Sequence, residues 1–249
     1  MAWLPSPLRR ALHERYDRVR AEGVRQGLAQ ARADRSPDRY RYVFVVTYGR
    51  SGSTLVQGLL NTLPRCLMRG ENDLYVLPLA RAMISAERWR EEHTEHGAFD
   101  DTSAFYGLKA IRPAVFAQSI NDIVTQCLVG RYDPADYDVI GFKEVLWHRI
   151  EPEETEAFFA AMDQAFPGAR YVLNTRDLDK VVKSGFWRRT DEDEARQLIA
   201  RVKEVQEHLR ATRPDRVLDV RYEELTGPDA ASRDTVLEAM ASFVLDAPV

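Results

Sequence analysis

The sequence predicts a three-layer α/β/α fold with a central parallel sheet. Apolar runs rich in β-branched and aromatic residues, which are typical of buried parallel strands, alternate with amphipathic helical stretches. The first run, residues 42–46, passes into a glycine-containing loop and then into a helix that Pro64 ends. A strand, a tight loop and a helix in this order predict a P-loop-like anion site at the helix N-terminus.

The loop after the first strand carries the side chains from which we predict anion binding. Glycines let a backbone approach a ligand, arginine supplies a permanent planar charge, and hydroxyls donate hydrogen bonds. The candidates are Gly49, Arg50, Ser51, Gly52, Ser53 and Thr54. The alternative is an ordinary connection capped by Ser53, which needs fewer donors than the loop offers. The loop lacks the Gly-x-x-x-x-Gly-Lys spacing of Walker A, which weakens an ATP- or GTP-hydrolysing interpretation.

Composition limits the class of protein. The chain has 249 residues, of which 45% are hydrophobic, enough for one large α/β domain. Its net charge of −4 gives no general electrostatic case for nucleic acid. Cys66 and Cys127 form no disulfide or zinc pattern, and no stretch has the length of a membrane span, so a cytoplasmic location is expected. His93 and His96 lie in a charged run that favours a solvated face, so no metal is expected.

We divide the chain into two parts, residues 1–38 and residues 39–249. The first is predicted to be an amphipathic helical extension, because apolar residues recur at helical spacing with arginines on the other face. It is expected to pack on the domain or on a second subunit, which makes a homodimer through this helix a further hypothesis. A membrane-surface role is the weaker alternative, because acidic residues interrupt the basic face. Within the domain, residues 74–138 are predicted to be mostly helical and to select the substrate.

Charged residues follow several of the predicted strands. Glu71 follows a short run beginning at Cys66, and Arg176 follows the strand at residues 170–174. Because ligands in open α/β sheets sit outside the carboxyl ends of the strands, we expect Glu71 near the loop. Ser184 is predicted on the next helix, so that it and Arg176 could face one anion. The alternatives are a solvated loop carboxylate, a structural arginine ion pair and an ordinary helix serine.

Further elements follow from the same patterns. A helical apolar stripe is predicted from Leu55, Leu59 and Leu63. Strands are expected at residues 139–144, ending in Lys143 and Glu144, and at residues 217–222. Helices are expected at residues 153–166 and 191–212, and a last helix, after the strand at residues 217–222, is expected to run to about residue 245.

Five separated motifs occur in one order along the chain. They are Tyr48-Gly-Arg-Ser-Gly-Ser-Thr-Leu55, Arg69-Gly-Glu71, Gly141-Phe-Lys143, Val172-Leu-Asn-Thr-Arg-Asp177 with Ser184, and Val220-Arg-Tyr-Glu-Glu-Leu225. Each motif is weak by itself, but their joint order and spacing are specific. Over residues 42–245 the chain resembles the PAPS-dependent sulfotransferase family, and it is most similar to the bacterial branch and to the tyrosylprotein and carbohydrate sulfotransferases.

The resemblance implies a donor and a role for each motif. The donor would be 3′-phosphoadenosine 5′-phosphosulfate (PAPS), bound without a metal, with residues 50–54 around its 5′-phosphosulfate. Arg176 and Ser184 resemble the clamp on the 3′-phosphate, and Tyr222 resembles a tyrosine of the nucleotide pocket. Glu71 matches the catalytic base of the tyrosylprotein-type enzymes, and Lys143 matches a lysine near the transferred group.

The chain also departs from the family pattern. Arg50 stands where many cytosolic relatives have lysine, and many of those relatives use histidine as the base. Here His148 is near a motif, but Glu71 matches better. The resemblance implies transfer to a hydroxyl of a sugar or another small molecule, ahead of a protein tyrosine. A nucleotide-dependent kinase or phosphotransferase, and a non-catalytic anion-binding assembly protein, remain the alternatives.

Overall fold

The computed structural model describes residues 39–94 and 101–245, so the predicted N-terminal extension lies outside the described residues. Five strands form one sheet in which each neighbouring pair is parallel. They are β1 (Arg41–Val46), β2 (Cys66–Arg69), β3 (Val139–Glu144), β4 (Arg170–Thr175) and β5 (Val217–Arg221). The order across the sheet is β2-β3-β1-β4-β5. The loop after β1 therefore lies where the chain order changes direction, which is where open α/β sheets bind ligands.

Eight α-helices connect or flank these strands within the part of the chain that the structure describes. They are α1 (Ser53–Leu60), α2 (Val76–His93), α3 (Pro113–Val129), α4 (Thr155–Ala165), α5 (Leu178–Val182), α6 (Glu192–Thr212), α7 (Tyr222–Thr226) and α8 (Ala230–Leu245). Single 3₁₀ turns lie between several of them, including Trp147–Arg149 and Gly185–Arg189.

Side chains of β1 alternate between two buried cores because successive residues of a strand point to opposite faces. Tyr42 and Phe44 lie in an aromatic-rich core that α2, α3, α4 and α6 cover. Val43 and Val45 lie in a smaller aliphatic core that α1, α7 and α8 cover. The predicted three-layer architecture is therefore confirmed, and burial on both faces explains why the strand is a continuous apolar run.

The structure corrects three local predictions and excludes one alternative. Val56 and Leu60 are the buried apolar residues of α1, and Leu59 and Leu63 pack partly buried beside them, whereas Leu55 is 40% exposed, so the predicted leucine stripe is wrong at Leu55. Gly52 is the N-cap of α1 and no side chain caps the helix, which excludes the alternative of a cap by Ser53. The helix predicted at residues 153–166 begins later, after a 3₁₀ turn. Helix α5 ends at Val182, so Ser184 lies beyond it in extended backbone.

Candidate active site

The loop after β1 is held in a left-handed conformation. Arg50 has φ 67° and Gly52 has φ 86°, backbone values that residues with a Cβ rarely adopt. The Thr47 hydroxyl links this turn to β4, since its oxygen lies 2.6 Å from Ser51 Oγ and 2.9 Å from the carbonyl oxygen of Asn174. Ser51 is fully buried. Its hydroxyl therefore shapes the loop, and the side chain does not reach the cavity described below.

Two aromatic side chains fix the loop to the segment after β4. The Tyr48 hydroxyl donates to the carbonyl oxygen of Arg176 at 3.0 Å and accepts from the N–H of the same residue at 3.0 Å. Burial raises the pKa of the Tyr48 phenol, so the group stays protonated and can make both bonds. Trp187 Nε1 donates to the carbonyl oxygen of Gly49 at 2.9 Å. The segments that follow β1 and β4 are thus held in a fixed position relative to each other.

A cavity of about 360 Å³ opens beside this loop, at the carboxyl edge of the sheet. Its lining comprises Gly49, Arg50, Gly52, Ser53, Thr54, Leu55, Glu71, Lys143, Val145, Arg176 and Tyr222. Three cations and one carboxylate thus surround the uncapped N-terminus of α1, whose first N–H groups have no intrahelical partner. Such a wall favours an anionic ligand. Of the residues predicted from the sequence, Ser51 and Ser184 are outside this lining.

Lys143 and Glu71 form an ion pair in the cavity. Lys143 Nζ lies 2.5 Å from Glu71 Oε1. The lysine side chain is 6% exposed, because Lys143 is the penultimate residue of β3 and lies within the sheet. The Glu71 side chain, in contrast, is 53% exposed. The buried cation therefore fixes a carboxylate that remains open to a second molecule. This arrangement suits a group that accepts a proton from a bound substrate.

Glu144, next to Lys143, is a positioning residue that was not among the site residues predicted from the sequence. Its fully buried carboxylate accepts hydrogen bonds from four backbone N–H groups. The donors are Asn72, Leu74, Val145 and Leu146, at 2.7–3.2 Å. In the loop after β2, which supplies the first two donors, Asp73 and Leu74 have φ of 63° and 50°. The carboxylate thus holds a strained loop that carries Glu71 against the end of β3.

Arg176 and Tyr222 form the opposite wall. The guanidinium carbon of Arg176 lies 4.3 Å from the centroid of the Tyr222 ring, within cation–π distance. Arg176 Nη1 also donates to the carbonyl oxygen of Arg50 at 3.1 Å. Its Nε is buried and has no hydrogen-bond partner among the described residues. The ring lies so close to Gly52 that a Cβ on that residue would be 2.0 Å from Tyr222 Cδ2.

Ser184 is close to Arg50. Arg50 Nε donates to Ser184 Oγ at 3.2 Å, and the arginine side chain lies against Gly185, where a Cβ would be 2.5 Å from Nε. The structure therefore brings Arg176 and Ser184 to the same loop, on either side of Arg50. Both residues contact Arg50, and that they face one anion stays a prediction.

Within residues 39–94 and 101–245, no group of three or more His, Cys, Asp or Glu side chains is arranged to hold a metal ion. His93 stacks on Trp89, with ring centroids 3.8 Å apart, and His96 lies outside the described residues. None of the described helices is both long and apolar enough to cross a membrane.

The fold and this cavity define an open α/β protein with a strand–loop–helix anion site. A comparison with protein families identifies it further, because the model of the sulfotransferase family matches residues 42–240. The chain belongs to the sulfotransferase family. No curated protein matches it at a significant level. Membership supports sulfuryl transfer as the general class of activity, and the resemblance drawn from the five motifs is confirmed at the level of the family.

Proposed function

We propose that the protein transfers the sulfuryl group of PAPS to a hydroxyl of a small-molecule acceptor. The observation that carries this proposal is the cavity itself, in which Arg50, Lys143 and Arg176 surround the loop while Glu71 remains open to a second substrate. The donor brings an activated sulfuryl group with phosphates at both ends of its ribose. A site for it needs two anion-binding walls and a base beside one of them.

The loop side of the cavity suits the phosphosulfate. The uncapped first turn of α1 offers backbone N–H groups, and Ser53 and Thr54 offer hydroxyls at the same wall. Gly52 lets the chain approach a ligand without a Cβ. Arg50 adds a fixed charge, which suits a sulfuryl or phosphoryl oxygen.

The wall formed by Arg176 and Tyr222 suits the 3′-phosphate and the nucleoside. Arg176 has a buried Nε without a partner among the described residues, and a buried donor of this kind is costly unless a ligand satisfies it. Tyr222 holds the guanidinium by its ring face and can pack against the nucleoside. Ser184 can add a hydroxyl if the side chain of Arg50 turns toward the phosphosulfate.

Transfer requires one bond to form and one to break. The acceptor oxygen bonds to sulfur, the bond from sulfur to the bridging oxygen breaks, and 3′,5′-bisphosphoadenosine leaves with the electron pair of that bond. Glu71 takes the hydroxyl proton. Lys143 and Arg50 stabilise the charge that develops on the sulfuryl and bridging oxygens, as positioned cations do in phosphoryl transfer.

The test is a transfer assay with PAPS that carries radiolabelled sulfate, comparing wild type with Glu71→Gln. Loss of the base should lower kcat by a factor of about 10² to 10⁴ and leave bisphosphate binding intact. Asp73→Asn is the matched control, because this neighbouring carboxylate is 79% exposed and pairs with Arg149. Unchanged turnover in Glu71→Gln would remove Glu71 from the role of base.

The same preparation separates the proposal from its main rival. Calorimetric titration should show tighter binding of 3′,5′-bisphosphoadenosine than of ATP with Mg²⁺. The opposite order would favour a phosphotransferase. A protein that binds the bisphosphate but transfers no sulfuryl group to any acceptor in a single-turnover assay would be an anion-binding protein without this activity.

A further inference from the structure

A second cavity, of about 260 Å³, lies next to the first one at the same edge of the sheet. Gly49 and Val145 line both cavities, so the two cavities adjoin along these residues. The second cavity is lined further by His148, Trp187 and residues of α6. A molecule in it would therefore lie beside the cavity that contains Lys143 and Glu71. We name the second cavity the α6 cavity, after the helix that forms its far side.

Most of the surface of the α6 cavity is apolar. Leu198, Ile199 and Val202 come from successive turns of α6, and Leu146 faces them from the loop after β3. The Trp187 indole adds an aromatic surface, and its N–H is already used by the carbonyl oxygen of Gly49. A ligand therefore meets carbon atoms along these walls.

The polar groups of the α6 cavity are few. The Tyr48 hydroxyl is committed to the backbone of Arg176. Burial, aided by the nearby positive charge of Arg149, lowers the pKa of His148, so its ring is neutral at pH 7. Thr190 and Glu194 are the remaining polar side chains of the lining. A sugar, with a hydroxyl on most carbons, would leave several hydroxyls unpaired here, at a cost of about 1–3 kcal/mol each.

We propose that the α6 cavity binds the body of the acceptor and that this acceptor is an alcohol or phenol with an apolar body, not a sugar. The claim rests on the proposed function, because the position of the reacting hydroxyl is set by the adjoining donor cavity. A cavity of about 150 Å³ holds benzene, so the α6 cavity fits a body of roughly ten carbon atoms. The hydroxyl extends past Gly49 and Val145 toward Glu71, while the apolar body stays against α6.

The first test measures binding without turnover. Methyl NMR spectra are recorded for the protein saturated with 3′,5′-bisphosphoadenosine, before and after addition of 4-butylphenol. Shifts are expected at Leu198, Ile199 and Val202. An internal control is a separate apolar cavity of about 320 Å³ between α1 and α8, whose lining includes Leu63 and Leu237. Shifts confined to that control cavity would overturn the proposal, because they would show unselective binding to apolar surface.

The second test uses a pair of matched variants. Leu198→Trp fills the α6 cavity from a partly exposed position, and Leu63→Trp fills the control cavity in the same way. Leu198→Trp should raise the KM for 4-butylphenol at least tenfold and change the bisphosphate Kd by less than twofold. Leu63→Trp should change neither value. An unchanged KM in Leu198→Trp, or sulfation of N-acetylglucosamine in preference to 4-butylphenol, would contradict the proposal.

The two tests separate this inference from the proposed function. If the bisphosphate binds and an acceptor is sulfated while the α6 methyl groups do not respond to 4-butylphenol, the acceptor assignment is wrong and the proposed function stands. If 4-butylphenol shifts those methyl groups but no acceptor is ever sulfated, the proposed function is wrong and the acceptor assignment is overturned with it. The cavity would then be a site for an apolar ligand of another kind.

Discussion

Replacing Gly52 by alanine tests how closely the loop depends on the opposite wall of the cavity. The residue has φ 86°, and its added Cβ would be 2.0 Å from Tyr222 Cδ2. A distance of this size cannot persist, so the ring must move. Because the ring carries the guanidinium of Arg176 at 4.3 Å, its displacement also disturbs the side chain assigned to the 3′-phosphate.

The magnitude has two parts. The left-handed backbone costs alanine about 1–2 kcal/mol, which should appear as a loss of stability. The displaced ring also removes a cation–π contact within the protein of about 0.5–2 kcal/mol, which adds to the loss of stability. Its displacement impairs a charged hydrogen bond from Arg176 to the ligand of about 1.5–3 kcal/mol. Loss of that hydrogen bond predicts binding of 3′,5′-bisphosphoadenosine that is weaker by up to about 3 kcal/mol, or roughly 10- to 150-fold.

Gly168→Ala is the matched control for this experiment. Gly168 also has a left-handed backbone, with φ 71°, but a Cβ there would meet nothing within 4 Å. Gly52→Ala should lose at least as much stability as Gly168→Ala in urea unfolding, and it should lose binding in calorimetric titration while Gly168→Ala keeps it. A bisphosphate Kd for Gly52→Ala within threefold of the Kd for Gly168→Ala would refute the reasoning.

Two further predictions concern buried and paired carboxylates. Glu144→Gln places an amide NH₂ against backbone N–H donors, so the free energy of unfolding in urea should fall by about 1–3 kcal/mol. The variant should also lower kcat more than it weakens bisphosphate binding, and unchanged stability would show that the four hydrogen bonds are dispensable. The Asp163 carboxylate lies 2.7 Å from the guanidinium groups of both Arg213 and Arg216. Burial raises the pKa of Asp163, but the hydrogen bonds from the two guanidinium groups outweigh burial and hold the pKa below its usual value. The free energy of unfolding should therefore exceed that of Asp163→Asn at pH 7, and the difference should shrink as the pH falls below about 4; a difference that persists at pH 2 would contradict this sign.

Much of the fold could be predicted from the sequence because the central strands β1, β3 and β4 are buried on both faces. Runs such as residues 42–46 have few alternatives to a central parallel strand, and Gly49 and Gly52 indicate a tight loop. The charged residues at the strand ends could be predicted to lie together because the sheet is parallel. The carboxyl ends of parallel strands meet at one edge, so Glu71, Lys143 and Arg176 line one cavity although they are far apart in the chain.

The details that the sequence did not show depend on contacts between distant segments. Ser51 looked like a ligand donor, but Thr47 and the turn direct it inward. Glu144 stands at a strand end, where a charged residue is usually solvated, yet four backbone donors make its burial favourable. Trp187 had no local signal at all, since its partner Gly49 lies 138 positions away in the sequence.

The claim on which the account depends is that the cavity binds both phosphate-bearing ends of one nucleotide. Calorimetric titration of wild type and Arg176→Ala with 3′,5′-bisphosphoadenosine and with AMP tests it directly. Wild type should bind the bisphosphate more tightly, and Arg176→Ala should weaken that binding about 10- to 150-fold while changing the Kd for AMP little. An equal loss for the two nucleotides, or no preference for the bisphosphate in wild type, would contradict it.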